Sequence, residues 1–270
     1  MTADPVARRD TDAAGEGPAL SRAPSTATAP IQRQVFTRGR ARFGDLLPAE
    51  WIKLWSLRST APALIGVVAL SLYLAHADPV RATFDGTVWL LPMLGAGALG
   101  AQSIVGEHAS GLIRTTLVAV PDRGRVVLAK AAVVAAVAAV FGLVIACGDL
   151  AVVSSRATGF AAVPSLAASA VLTLACALVG LALGTLIRNL AATSFGICVV
   201  LGFLPLFLKP DQNRWATDVA NALPYYAWGR LTGAGHASAT TTASVAWGTL
   251  AAWMAASIVL TLTTLNRRDV

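Results

Sequence analysis

The chain has 270 residues, of which 56% are hydrophobic and only 13% charged, about half the charged share of an ordinary soluble domain. So few charges cannot solvate a globular surface of this size. A soluble enzyme is excluded, and so is a disulfide-stapled secreted module, because the three cysteines all sit in apolar runs and read as small buried hydrophobes. The net charge of +7 would suit nucleic acid, but its distribution fits orientation in a membrane instead.

Residues 1–45 are rich in Ala, Pro, Thr, Asp and Arg and carry no apolar run, so they read as a disordered cytoplasmic tail. They hold no signal-peptide core. Their basic stretch from Arg33 to Arg42 offers a contact for anionic lipid.

The next segment, Leu46 to Arg58, is amphipathic. At 100° per residue Leu47, Trp51, Leu54 and Trp55 share one stripe, with Lys53 and Ser56 pointing away. Pro48 suits a first turn, and Glu50 lies where the helix dipole favours an acid. Trp flanked by Lys and Arg belongs at the headgroup level, which predicts a short interfacial helix. The alternative is a cytoplasmic extension of the first span.

Beyond it the informative quantity is the distance between charges. Runs without Asp, Glu, Lys or Arg extend for 19 residues after Arg58, 21 after Asp85, 18 after Lys130, 31 after Arg156, 20 after Arg188 and 36 after Arg230. A helix needs about 20 mainly apolar residues to cross about 30 Å of hydrocarbon. Six spans follow, at 60–77, 86–106, 128–148, 165–187, 189–208 and 244–265. The runs are continuous rather than alternating, which excludes barrel strands. Of the Lys and Arg residues, 16 fall on the side of the termini and 5 on the other, which places both termini in the cytoplasm. Pro92 and Pro205 are candidate kinks. Gly95, Gly97, Gly100 and Ala101 in the second span, and Gly180 and Gly184 in the fourth, permit close helix packing, within the chain or across a dimer seam. On the opposite side from the termini, the patch from Val219 to Gly229 predicts a short re-entrant or interfacial helix pair.

Chemical motifs are missing. There is no G-x-x-x-x-G-K-S/T phosphate loop, no H-E-x-x-H and no paired-cysteine site. His76, His108 and His236 are too scattered to share a metal. No span carries an ionisable group near its middle, where proton-coupled carriers and intramembrane enzymes keep one. The chain therefore has no visible energy source of its own.

The most specific stretch joins the second and third spans: GEHASGLIRTTLVAVPDRGRVVLAK, Gly106 to Lys130. An acid stands at the membrane exit, a helix-compatible piece follows with Leu112, Ile113 and Leu117 beside Arg114, and a Pro-Asp break leads into a basic re-entry. Its order resembles the permease subunits of ABC-2 type ABC transporters, in which E-x-x-x-G precedes a short helix, a Pro with nearby Ser or Arg, and an Ala-Lys opening the third span. The matching positions are Glu107, Gly111, Pro121, Arg123, Ala129 and Lys130; Gly124 separates Arg123 from Arg125 where the family commonly has an adjacent pair. The Glu50–Arg58 segment, the six spans and the closing Arg267-Arg268-Asp269 extend the resemblance over residues 46–270.

The resemblance implies an all-α integral membrane protein of ABC-2 exporter type, with an elbow-like interfacial helix carrying Trp51, Leu54 and Trp55. It implies a half-transporter that pairs with a second permease copy, identical or different. Each copy docks on a cytoplasmic ABC ATPase through a coupling loop comprising Glu107, Gly111, Arg114, Pro121, Arg123 and Lys130. ATP and Mg would be bound by that partner and none by this chain; no nucleic acid is involved. The second and fifth spans would line the path, making Trp89, Met93, Phe195, Phe203 and Phe207 its candidate residues. The Ala- and Arg-rich composition points to a bacterial plasma membrane. An ATP-independent carrier, a membrane enzyme and a non-transporting scaffold or accessory subunit are the rival readings.

Overall fold

The computed structural model describes residues 43–56, 58–78, 86–111, 123–153, 163–208, 213–234 and 242–267. The first helix, α1, is Phe43–Ser56, and α2 is the first span, Thr60–Ala77. A 3-10 turn, Thr87–Trp89, leads into α3, Leu90–Ser110. The third and fourth spans are α4, Arg123–Val153, and α5, Val163–Ile187. The fifth, α6, is Leu190–Phe207; two short helices follow, α7, Arg214–Asn221, and α8, Pro224–Thr232, before the last span, α9, Ala243–Arg267. Among the described residues every regular element is helical. Among the described residues six helices are long and apolar enough to cross a membrane, so the chain is a multi-pass membrane protein of helical type.

The six expected spans are present, but their ends differ. Helix α3 runs to Ser110 and α4 starts at Arg123, so both continue past the charges expected to end them. Charge-free length measures what hydrocarbon can cover, whereas a helix continues as long as its backbone bonds and its charges are satisfied. Of the expected tail, residues 1–42 lie outside the described residues, while Phe43–Asp45 already belong to α1. Pro48 is consequently the sixth residue of that helix and not in its first turn.

Helix α5 is the centre of the bundle: 67% of its apolar stretch is buried, against 17% in α2. Small residues bring it against α3. A Cβ on Gly100 would collide with the Ala177 carbonyl, and one on Gly180 with the Gly97 carbonyl, so the helices touch backbone to backbone. The glycine pattern thus serves packing within the chain. On its other side α5 meets α4, where Thr173 Oγ1 donates to the Ala138 carbonyl at 2.8 Å. Cys176 is buried, as expected, but Cys147 is exposed on the surface of α4.

Pro92 falls in the first turn of α3, where a missing N–H disturbs the ladder least. Pro205 follows a π-helical stretch, Cys198–Phe203. The Pro ring cannot accept a regular turn beneath it, and the widened turn absorbs the mismatch.

The expected helix pair is α7 and α8, which meet inside the Val219–Gly229 patch. Helix α8 is buried from Pro224 to Gly229. Tyr226 Oη donates to the Pro205 carbonyl at 2.8 Å, and Trp228 Nε1 to Ser169 Oγ at 2.9 Å. Trp228 also packs on Trp89, with ring centroids 4.9 Å apart. These contacts tie α8 to the turn before α3, to α5 and to α6.

Candidate functional site

At the end of the bundle where α3 stops and α4 begins, α1 lies against both. Its inward line is Leu47, Glu50 and Leu54: Leu54 is buried and Glu50 only 5% exposed. Glu50 and Lys53, three residues apart, face the same way. Helix α3 contributes Glu107 from its last turn, and α4 contributes Lys130 from its second.

These four side chains form one buried network. Lys130 Nζ lies 2.5 Å from Glu50 Oε2 and 2.9 Å from Glu107 Oε1. Lys53 Nζ lies 2.6 Å from Glu50 Oε1 and 3.3 Å from Glu107 Oε1. Lys130 also donates to the Ser103 carbonyl at 3.4 Å. Two acids and two bases cancel, which is the condition for holding charge at this depth. Burial alone would push the Glu50 carboxyl up, but Lys130 and Lys53 outweigh it and hold it below its ordinary range. Burial likewise opposes the charge on Lys53, and Glu50 and Glu107 more than compensate, raising its pKa.

Glu107, the acid at the membrane exit, is 7% exposed and bonded to Lys130 and Lys53. The arrangement corrects one sequence expectation. Lys53 does not point away from the apolar stripe but folds inward, because two buried carboxylates outcompete solvent for its ammonium. The outward residues are Trp51 and Trp55, exposed, with ring centroids 5.7 Å apart. Leu54 alone of the expected interfacial trio is buried.

Gly111 caps α3 with φ of 71°, and a Cβ there would meet nothing within 4 Å. Inside the chain the need for glycine is therefore conformational. Arg123 opens α4, though its side chain is outside the described residues, as are Arg114 and Pro121. The expected path residues divide. Trp89 and Met93 are sealed in the core, whereas Phe195, Phe203 and Phe207 are exposed on α6, the last two with centroids 6.0 Å apart. A single chain does not bring these five onto one surface.

Sequence reasoning missed Glu50 and Lys53 as members of the site. The signal was present: Glu50 occupies the buried line of α1 between Leu47 and Leu54, where a lone carboxylate requires a cation. Among the described residues no group of three or more His, Cys, Asp or Glu is placed to hold a metal.

No protein-family model matches the chain, and no curated protein matches it.

Proposed function

We propose that the chain is the membrane-spanning subunit of an ATP-driven exporter of ABC-2 type. It is energised by a separate cytoplasmic ATPase, and its path is completed by a second permease copy. The supporting sequence pattern is Glu107, Gly111, Pro121, Arg123, Ala129 and Lys130, in the order that type of permease uses. On this reading the chain lies in a bacterial plasma membrane with both termini cytoplasmic, and ATP and Mg belong to the partner.

The observation that carries the reading furthest is the charge network. It joins α1 to the ends of α3 and α4, the two helices that flank residues 112–122. A force applied to that segment would reach three helices together. Breaking a buried ion pair costs about 3–5 kcal/mol, so the three ends move as one body rather than separately. The chain itself offers no nucleotide motif, so the force has to come from another protein.

The test is ATP hydrolysis by the complex isolated from native membranes. Gly111→Leu forces a side chain into a left-handed turn, at about 1–2 kcal/mol, and should displace the segment and abolish hydrolysis while membrane levels hold. Gly111→Asn, which accepts that turn, should retain activity. Equal activity in wild type and Gly111→Leu would remove the segment from coupling.

A further inference from the structure

Arg188 stands in the two-residue turn between α5 and α6, at the end of the bundle where α3 and α9 also close. Its backbone is left-handed, with φ of 58°, and among the described residues no other non-glycine residue is so placed. That conformation suits Gly or Asn and strains a long side chain. Asn189, which would accept it, instead caps α6 by taking the Ala192 N–H at 3.0 Å. An arginine is kept where the backbone disfavours one.

The guanidinium is not satisfied within the chain: Nε and Nη2 are both buried, and neither has a hydrogen-bond partner. An arginine stays charged, so sealed nitrogens without a partner carry a cost that an anion would remove. These two nitrogens form one edge of the guanidinium, with two parallel N–H bonds that match two oxygens of a phosphate. Helices α3 and α5 run side by side here. Gly180 abuts Gly97, and one turn later Gly184 abuts Ile104 and Val105. A further turn on each brings His108 to the level of Arg188. His108 Nδ1 donates to the Ile104 carbonyl at 2.9 Å, and its Nε2 is also buried without a partner. Three unpartnered nitrogens thus gather at one level of the bundle. The outward neighbours are apolar: Leu186 and Leu190, on either side of the turn, are exposed, as is Phe195 further along α6. In a membrane, hydrocarbon covers these residues up to the turn, and the anions within reach are lipid phosphates. Arg188 as a whole is half-buried, so its flexible stem carries the guanidinium edge to the rim as a snorkelling cation does.

We propose that Arg188 binds the phosphate of an anionic phospholipid, of the phosphatidylglycerol kind. Its Nε and Nη2 donate to two phosphate oxygens, and His108 Nε2, with the imidazole charged, donates a third bond. The acyl chains lie along Leu186 and Leu190. A choline headgroup would bring its own cation beside the two already there and is disfavoured. The proposal rests on the spans lying in a membrane and does not depend on the exporter reading, so either can fail alone.

The experiment is native mass spectrometry of the full chain, delipidated in mild detergent and titrated with phosphatidylglycerol and phosphatidylcholine. One phosphatidylglycerol per chain should bind, roughly fivefold tighter than phosphatidylcholine, the worth of one cation at an anionic headgroup. Arg188→Asn accepts the left-handed backbone and removes the guanidinium. It should erase the preference while the Tm of the lipid-free chain stays level or rises. Arg267→Gln, which removes an exposed cation at the same end, should leave the preference intact. Equal binding of both lipids by the wild type would overturn the proposal. So would an unchanged preference in Arg188→Asn, whatever its Tm, or an equal loss in Arg267→Gln. Displacement of the lipid by glycerol phosphate at matching concentration would assign the site to a soluble phosphate and overturn the lipid as its occupant.

Discussion

Lys130 is the keystone of the charge network, so Lys130→Met is the most informative single change. It keeps the length and apolar stem of the side chain and removes only the charge. The ammonium bridges Glu50 at 2.5 Å and Glu107 at 2.9 Å, and Lys130 is 6% exposed. Removing one member of a buried pair costs about 3–5 kcal/mol, because the partner is left charged without compensation. Here Lys53 stays within 2.6 Å of Glu50 and 3.3 Å of Glu107, which places the loss near the low end, about 3 kcal/mol. At roughly 2–4 °C per kcal/mol for a domain of this size, Tm should fall by about 6–12 °C. Heating in detergent followed by size-exclusion chromatography measures that. Trypsin cleavage at Arg58 reports whether α1 has come away. Combining Lys130→Met with Glu107→Gln should cost less than the sum of the two, by about 1 kcal/mol or more. A Tm within about 2 °C of wild type, with additive single effects, would show that the network does not hold α1 to the spans.

Three further outcomes follow from the packing, the charges and the topology. Gly180→Val should lower Tm or membrane levels by a cost of about 1–3 kcal/mol, because its Cβ meets the Gly97 carbonyl, whereas Gly66→Ala, with nothing within 4 Å, should be neutral or slightly stabilising. Glu50 titrates below its ordinary 4.5 in the folded chain, so its contribution is present above that value and lost as pH falls through the lowered pKa. Lys53 titrates above its ordinary 10.5, so its contribution is present below that value and lost as pH rises through the raised pKa. Tm should therefore be flat between these limits and fall at both extremes, with Glu50→Gln weakening the acid limb; a steep change between pH 6 and 9 would contradict this. Tags at residues 5 and 270 should both resist external protease in intact cells while a tag near Gly235 is cut, and cleavage at either terminus would overturn the orientation.

The spans were legible because a membrane imposes one demand, about 20 residues without charge, and six runs met it. Their ends were not, since α3 carries Glu107 inside helix, and nothing local reveals that it and Lys130 neutralise each other across 23 positions. The helix pair α7 and α8 was readable from the patch around Pro224. Its anchoring through Tyr226 and Trp228 was not, because indole and phenol donors find carbonyl and hydroxyl acceptors only once the fold is assembled. At the site, Glu107 and Lys130 stood out through the loop pattern. Glu50 and Lys53 were read as ordinary features of an amphipathic helix, and only their place against α3 and α4 makes them partners.

The central claim is that a separate ATPase drives this chain. Isolation of the tagged protein from its native membranes in mild detergent, with quantification of what co-elutes, tests it directly. The account predicts a protein carrying a G-x-x-x-x-G-K-S/T loop in one-to-one ratio with the chain, and vanadate-sensitive ATP hydrolysis in the same fraction. A folded chain recovered in good yield with no such protein, and no hydrolysis in the fraction, would contradict it.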